Sequence, residues 1–239
     1  MDTTGVIDNR NLELWNFLRK VHTIEIRKEK RPDYLAFSKS GRTIISVPLD
    51  NLDPASFTHE LLHIYLRIKE VFIGGGLTRS IKGSEKLSNI CSDNLIDHIG
   101  NCLDHIKMFP EFIKLGYHES DFISDYSENK LTAEDILKIR KHFTTNVLFK
   151  KIYNASAIDF FIGKFFAAKA CPNKSFDYQQ NLNELKKIDC ELFQILETLL
   201  TDWIKFDYND PDPAKGSYHL LLFDFIENFK KWTNGKTIK

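Results

Sequence analysis

The apolar positions of this chain change their period along its length. Residues 10–20 carry them at helical spacing, and the segment reads as a short amphipathic helix. His22 to Arg27 alternates and reads as a strand. Tyr34 to Ser38 and Thr43 to Val47 flank Ser40-Gly41 and read as a hairpin with a glycine-containing turn. Pro48 to Pro54 is a loop, and from about Pro54 to Val71 the period becomes that of a helix with proline at its start. That helix is expected to stop before Gly74-Gly75-Gly76, which reads as a tight turn rather than a hinge. A second helix is predicted from about Ser84 to Phe109, with Pro110 kinking or ending it. Beyond Tyr117 the pattern is helical at about 131–150, 155–170, 176–206 and 217–233, the first opened by a capping box of Thr132 and Asp135. Asp207 to Gly216, with two prolines, is a loop. There is no internal repeat or low-complexity stretch.

This order predicts an α+β fold. A small N-terminal antiparallel sheet packs on the 54–71 helix, and a mainly α-helical C-terminal half follows. The expected division is 1–125 and 126–239.

Composition narrows the function classes. With 239 residues, 42% hydrophobic and 28% charged, the chain is long enough to bury a sizeable core without staples. Its 33 basic and 33 acidic residues cancel, which argues against a general nucleic-acid binder. The four cysteines, Cys91, Cys102, Cys171 and Cys190, contain no CxxC pair and read as reduced thiols of an intracellular protein. Met1-Asp2-Thr3-Thr4 lacks the basic and apolar regions of a signal peptide, and no apolar run approaches a membrane span. The expectation is a cytoplasmic protein without a membrane partner.

The candidate chemistry lies in the 54–71 helix. Residues 59–63 read His-Glu-Leu-Leu-His. Histidines four apart on a helix share a face and can hold one Zn²⁺, and the glutamate between them can act on water at the metal. At 100° per residue Phe57, Leu61, Ile64 and Ile68 fall in one sector, with His59 and His63 opposite and Glu60 beside them. Leu62 and Leu66 make a further flank apolar, so the two imidazoles lie on a face of a largely buried helix that still needs a partner.

A catalytic zinc commonly has a third protein ligand. The next helix carries Asn94, Asp97-His98, Asn101 and Asp104-His105, a pattern repeating after seven residues. Asn94, His98, Asn101 and His105 form one polar stripe beside the apolar face of Cys91, Leu95, Ile99, Cys102 and Ile106. His98 and His105 lie about 10 Å apart along the axis, so only one can join the first two histidines. Glu85 is a competing carboxylate, and Asp104 ranks after it. A structural zinc closed by Cys91 or Cys102 is disfavoured because both cysteines fall on the apolar face.

The His59-Glu60-Leu61-Leu62-His63 motif, preceded by a hairpin, resembles the zincin metallopeptidases of the ImmA/IrrE-like type found in bacteria and mobile elements. A second segment, Asn101, Asp104-His105, Pro110 and Leu115-Gly116-Tyr117, resembles a pattern of uncharacterised relatives. The likeness covers about residues 22–120. It implies a zinc metallopeptidase acting on an intracellular protein or peptide, with Glu60 as general base and His59, His63 and His105 as ligands. Two features depart from the family. Leu62 stands where it usually has glycine, and Glu85-Lys-Leu-Ser-Asn89 satisfies the spacing of its usual glutamate ligand, which keeps Glu85 open. Tyr65, Tyr117 and His118 have the chemistry of oxyanion donors, but each reads first as a core or surface residue, and Thr43 to Val47 is the candidate edge for a substrate strand. The alternative is a catalytically inactive zincin-like sensing or binding module, with the helical C-terminal half, rich in Phe223, Phe225, Phe229 and Trp232, as a surface for a protein partner.

Overall fold

The structure is a computed structural model whose described residues are 5–39, 41–210 and 217–239. Ser40 of the expected hairpin turn and 211–216 of the expected 207–216 loop lie outside them. In chain order the elements are α1 (Leu12–Val21), β1 (Thr23–Glu29), β2 (Leu35–Lys39), β3 (Arg42–Pro48), α2 (Pro54–Ile68), α3 (Ile73–Lys82), α4 (Glu85–Ile90) and α5 (Asp93–Lys114). Then follow a 3-10 turn (Glu119–Asp121), α6 (Ala133–His142), β4 (Thr144–Val147), β5 (Lys150–Tyr153), α7 (Ala155–Lys169), α8 (Gln179–Ile188), α9 (Cys190–Lys205), α10 (Tyr218–Thr233) and β6 (Thr237–Ile238). The fold is α+β, with small sheets and a mainly helical C-terminal half. Among the described residues, no helix is long and apolar enough to cross a membrane.

The chain packs as two compact units, Met1–Val71 with Ile106–Ser127, and Phe72–His105 with Glu128–Lys239. In the first, β2 and β3 pair antiparallel as the alternation predicts. The sheet order is β1-β3-β2, however, and β1 runs parallel to β3. The sheet is therefore mixed rather than antiparallel throughout. Thr43 to Val47 lies in the central strand, and the edge beside it is β2. The sequence of β3 accounts for its place: Thr43, Ile45, Ser46 and Val47 are all buried, as a strand covered on both sides requires. Val6, Trp15, Leu18, Ile26, Ile45, Val47, Phe57, Leu61 and Ile64 form the core under the sheet. Asp53 caps α2, its carboxylate accepting from the amides of Ala55 and Ser56, with Pro54 at the first helical position.

In the second unit the glycine run is not a turn. Gly74, Gly75 and Gly76 form the first turns of α3. A Cβ on Gly100 of α5 would lie 2.9 Å from Gly74 Cα, so the two backbones touch where only hydrogens fit. The expected 84–109 helix is two helices. Ser92 breaks it, its amide donating to Asp159 at 2.8 Å and its hydroxyl accepting from the amide of Leu95 at 3.1 Å. The second of them, α5, continues through Pro110 to Lys114. The expected 176–206 helix is also broken, at Asp189, which caps α9 by accepting from the amide of Leu192 at 2.9 Å. The capping box of Thr132 and Asp135 is present. The helix it opens ends at His142, and residues 144–153 turn back as the β4–β5 hairpin, extended by β6. The four cysteines are free thiols, three buried and Cys190 exposed.

Candidate metal centre

Helix α2 is oriented by its apolar side. Phe57, Leu61 and Ile64 are fully buried in the core beneath the sheet, which turns the opposite side, with His59, Glu60 and His63, away from that core. The ring centroids of His59 and His63 are 5.0 Å apart, as two residues one helical turn apart must be. Phe122 packs on the His59 ring at 4.9 Å, and Phe109 and Phe112 pack on Phe122 at 5.2 and 5.1 Å. This aromatic wall makes one side of the centre apolar.

His59, His63 and His105 each offer a ring nitrogen, and these atoms all lie within 4.8 Å of one another. Three histidines are therefore close enough to hold a metal ion. His105 sits on α5 where the chain passes from one compact unit to the other, one residue before Ile106. His63 is buried, His59 and His105 are half-buried, and His59 Nδ1 and His105 Nε2 are shielded from solvent. Tetrahedral zinc with bonds of about 2.0–2.1 Å places its nitrogen ligands about 3.4 Å apart. The observed upper bound exceeds this by about 1.4 Å, a gap on the scale of imidazole rotation about its side-chain bonds. Three neutral imidazoles suit zinc, copper or nickel rather than calcium or magnesium.

The other candidates for a third ligand lie elsewhere. His98 Nε2 donates to the Gly163 carbonyl at 3.2 Å and lies 3.6 Å from Cys102 Sγ. Glu85 is exposed in the first turn of α4, and Asp104 is half-buried beside His105; neither belongs to the three-histidine group. Cys91 and Cys102 are buried and also stand outside it.

Glu60 is held from an unexpected direction. The backbone N–H of Ala36 in β2 donates to Glu60 Oε2 at 2.8 Å. Burial pushes the Glu60 carboxyl above its ordinary range, and the neighbouring His63 ring, the hydrogen bond from the Ala36 amide, and the charges of Arg67 and Arg31 offset part of that rise. Arg67, seven residues along the same helix, donates to Ser38 Oγ at 2.9 Å and ties α2 to the same strand. The spacing of Arg67 from Glu60 was a signal in the sequence that this arginine shares its face. The Ala36 amide had none, because a backbone donor leaves no mark on residue type.

Of the three residues with the chemistry of oxyanion donors, two have structural work, in line with a core or surface reading. Tyr117 is buried, accepts from Thr58 Oγ1 at 2.9 Å and donates to Asp8 at 3.1 Å, and burial pushes its phenol up to about 12. His118 caps the 3-10 turn by accepting from the Ser120 amide. Tyr65 packs edge-on against Phe17 at 6.1 Å. No family model, curated protein or solved structure matches the chain, so what the centre does is read from its residues alone.

Proposed function

We propose that the protein is a zinc-dependent peptidase in which His59, His63 and His105 hold the metal and Glu60 is the general base. The observation that carries this reading is the convergence of three imidazoles within 4.8 Å, with a half-buried carboxylate on the same helix as two of them. Zinc bound there supplies Lewis acidity and lowers the pKa of water toward about 7. Glu60 takes a proton from the attacking water and returns it to the leaving amide nitrogen. Its raised pKa suits the first of these steps, since a stronger base takes a proton from water more readily. The Phe122 wall lowers the local dielectric around the histidines and strengthens every charge interaction there. Strand β2, the outer strand next to Glu60, is the surface along which an extended peptide adds.

The test joins metal content to hydrolysis. Protein purified without added metal is assayed for bound elements and for cleavage of unfolded protein substrates, as wild type and as Glu60→Gln. The expected result is about one zinc per chain in both proteins. Hydrolysis should fall about a hundredfold or more in the variant. Folded wild type without metal overturns the reading. Equal hydrolysis in both proteins removes Glu60 from the chemistry, and bound metal without hydrolysis in either leaves a binding module.

A further inference from the structure

The β4–β5 hairpin carries an unusual tip. Val147 pairs with Lys150, so Leu148 and Phe149 alone make the turn. Both have positive φ, 48° and 63°. A two-residue turn of this hand favours Asn-Gly, because other side chains are strained there. Here the two positions hold large apolar residues, and neither is buried: Leu148 is 87% exposed and Phe149 fully exposed. Val147 beside them is half exposed. Leu148 and Phe149 thus gain nothing from the core and bear the strain of the turn. Within this fold Asn-Gly would serve better, so the pair answers to something outside the chain.

The surrounding charge says what. The chain as a whole is neutral, yet residues 136–158 contain no Asp or Glu and carry Lys138, Arg140, Lys141, Lys150 and Lys151 together with His142. Strand β6, which pairs with β5, lies between Lys236 and Lys239, and no acidic residue follows Glu227. Part of this charge is neutralised, Arg140 by Glu184 and Lys236 by Glu191. Lys150 and Lys151 are exposed directly behind the apolar tip. At about 3.3 Å per residue they stand roughly 3–7 Å behind it. That offset matches the distance from the acyl boundary of a bilayer to its phosphates, where interfacial segments bury their apolar parts about 5–10 Å deep.

We propose that this hairpin docks on an anionic lipid surface. Leu148, Phe149 and Val147 enter the interface, and Lys150 and Lys151 meet the headgroup phosphates. This is contact with a membrane surface, not a span. It does not depend on the metal centre.

The full chain is mixed with sedimentable vesicles of phosphatidylcholine, alone or with about one third phosphatidylserine. Wild type should sediment with the anionic vesicles, bind the neutral ones at least about tenfold more weakly, and be released by salt. L148N/F149G supplies the favoured turn, so it should fold with an equal or higher Tm while binding falls by about tenfold or more. K150E/K151E should erase the preference for anionic vesicles. Failure of folded wild type to bind the anionic vesicles overturns the proposal, as does undiminished binding by L148N/F149G. A wild type that elutes as a dimer, and becomes monomeric with L148N/F149G, assigns the tip to self-association and overturns it too.

Discussion

The amide of Ala36 and the carboxylate of Glu60 meet at 2.8 Å, joining the edge strand of the first sheet to the helix that carries two of the three histidines. Because the N–H is committed to Glu60, it takes no part in the β2–β3 ladder. A proline at position 36 therefore removes this bond without breaking the sheet. A hydrogen bond to a charged group contributes about 1.5–3 kcal/mol, so losing it should cost about ten- to a hundredfold in kcat if the amide aims the carboxylate. Ala36→Pro is expected to keep its metal and lose rate, and Ala36→Val to keep both. Equal rates in all three proteins, by steady-state kinetics, would show that the bond only fastens strand to helix.

The two histidines of α5 should part company on substitution. His105→Ala removes one of three converging ligands, and metal content should fall well below one ion per chain. His98→Ala leaves the group intact and removes the bond to Gly163, so metal should stay while stability drops by about 1 kcal/mol. Glu85→Ala, at an exposed position, should change neither. Elemental analysis with thermal unfolding reads both quantities. Metal lost with His98 and kept without His105 would reverse the assignment.

The contrast between these histidines also shows where the sequence is legible. His59, Glu60 and His63 sit within one helical turn of each other, so periodicity alone puts them on a shared face opposite Phe57 and Leu61. His98 and His105 have the same local setting, one heptad apart, and only the tertiary path of α5 separates a structural role from a place near the other two. The breaks at Ser92 and Asp189 are hidden because one polar residue in an apolar repeat reads as an exposed position, whereas here each caps the helix that follows it. The β4–β5 hairpin is hidden for the opposite reason: Leu148-Phe149 gives no turn signal, so residues 131–150 keep a helical reading. The glycine run misleads because three glycines usually punctuate, and the partner that explains them, Gly100, is distant in sequence.

That partnership predicts opposite signs for two alanine substitutions. At Gly75 an added Cβ meets nothing within 4 Å, and the residue lies inside α3, so Gly75→Ala should stabilise by about 0.5–1 kcal/mol. At Gly100 the same methyl lies 2.9 Å from Gly74 Cα, a backbone atom that cannot rotate away. Gly100→Ala must push α3 and α5 apart and should destabilise by about 1–3 kcal/mol. Denaturant unfolding midpoints would decide it. A neutral Gly100→Ala would mean that the two helices are not held at this distance.

Acid should find the capping box of α6. Burial on its own would raise the Asp135 carboxyl, but the amide and hydroxyl of Thr132 and the Lys164 ammonium, at 2.9, 3.0 and 2.9 Å, outweigh it and hold the group below its ordinary range. The folded state therefore binds this proton less readily than the unfolded chain does. The resulting stability is complete above the unfolded carboxylate pKa of about 3.9 and is lost as pH falls through the lower folded value. Asp135→Asn cannot ionise and lacks this term. The Tm gap between wild type and Asp135→Asn should be widest near neutrality, hold down to about pH 4 and close below it. A gap of constant width from neutrality to well below pH 4 would show that Asp135 stabilises α6 by shape and hydrogen bonding alone, with its charge contributing nothing.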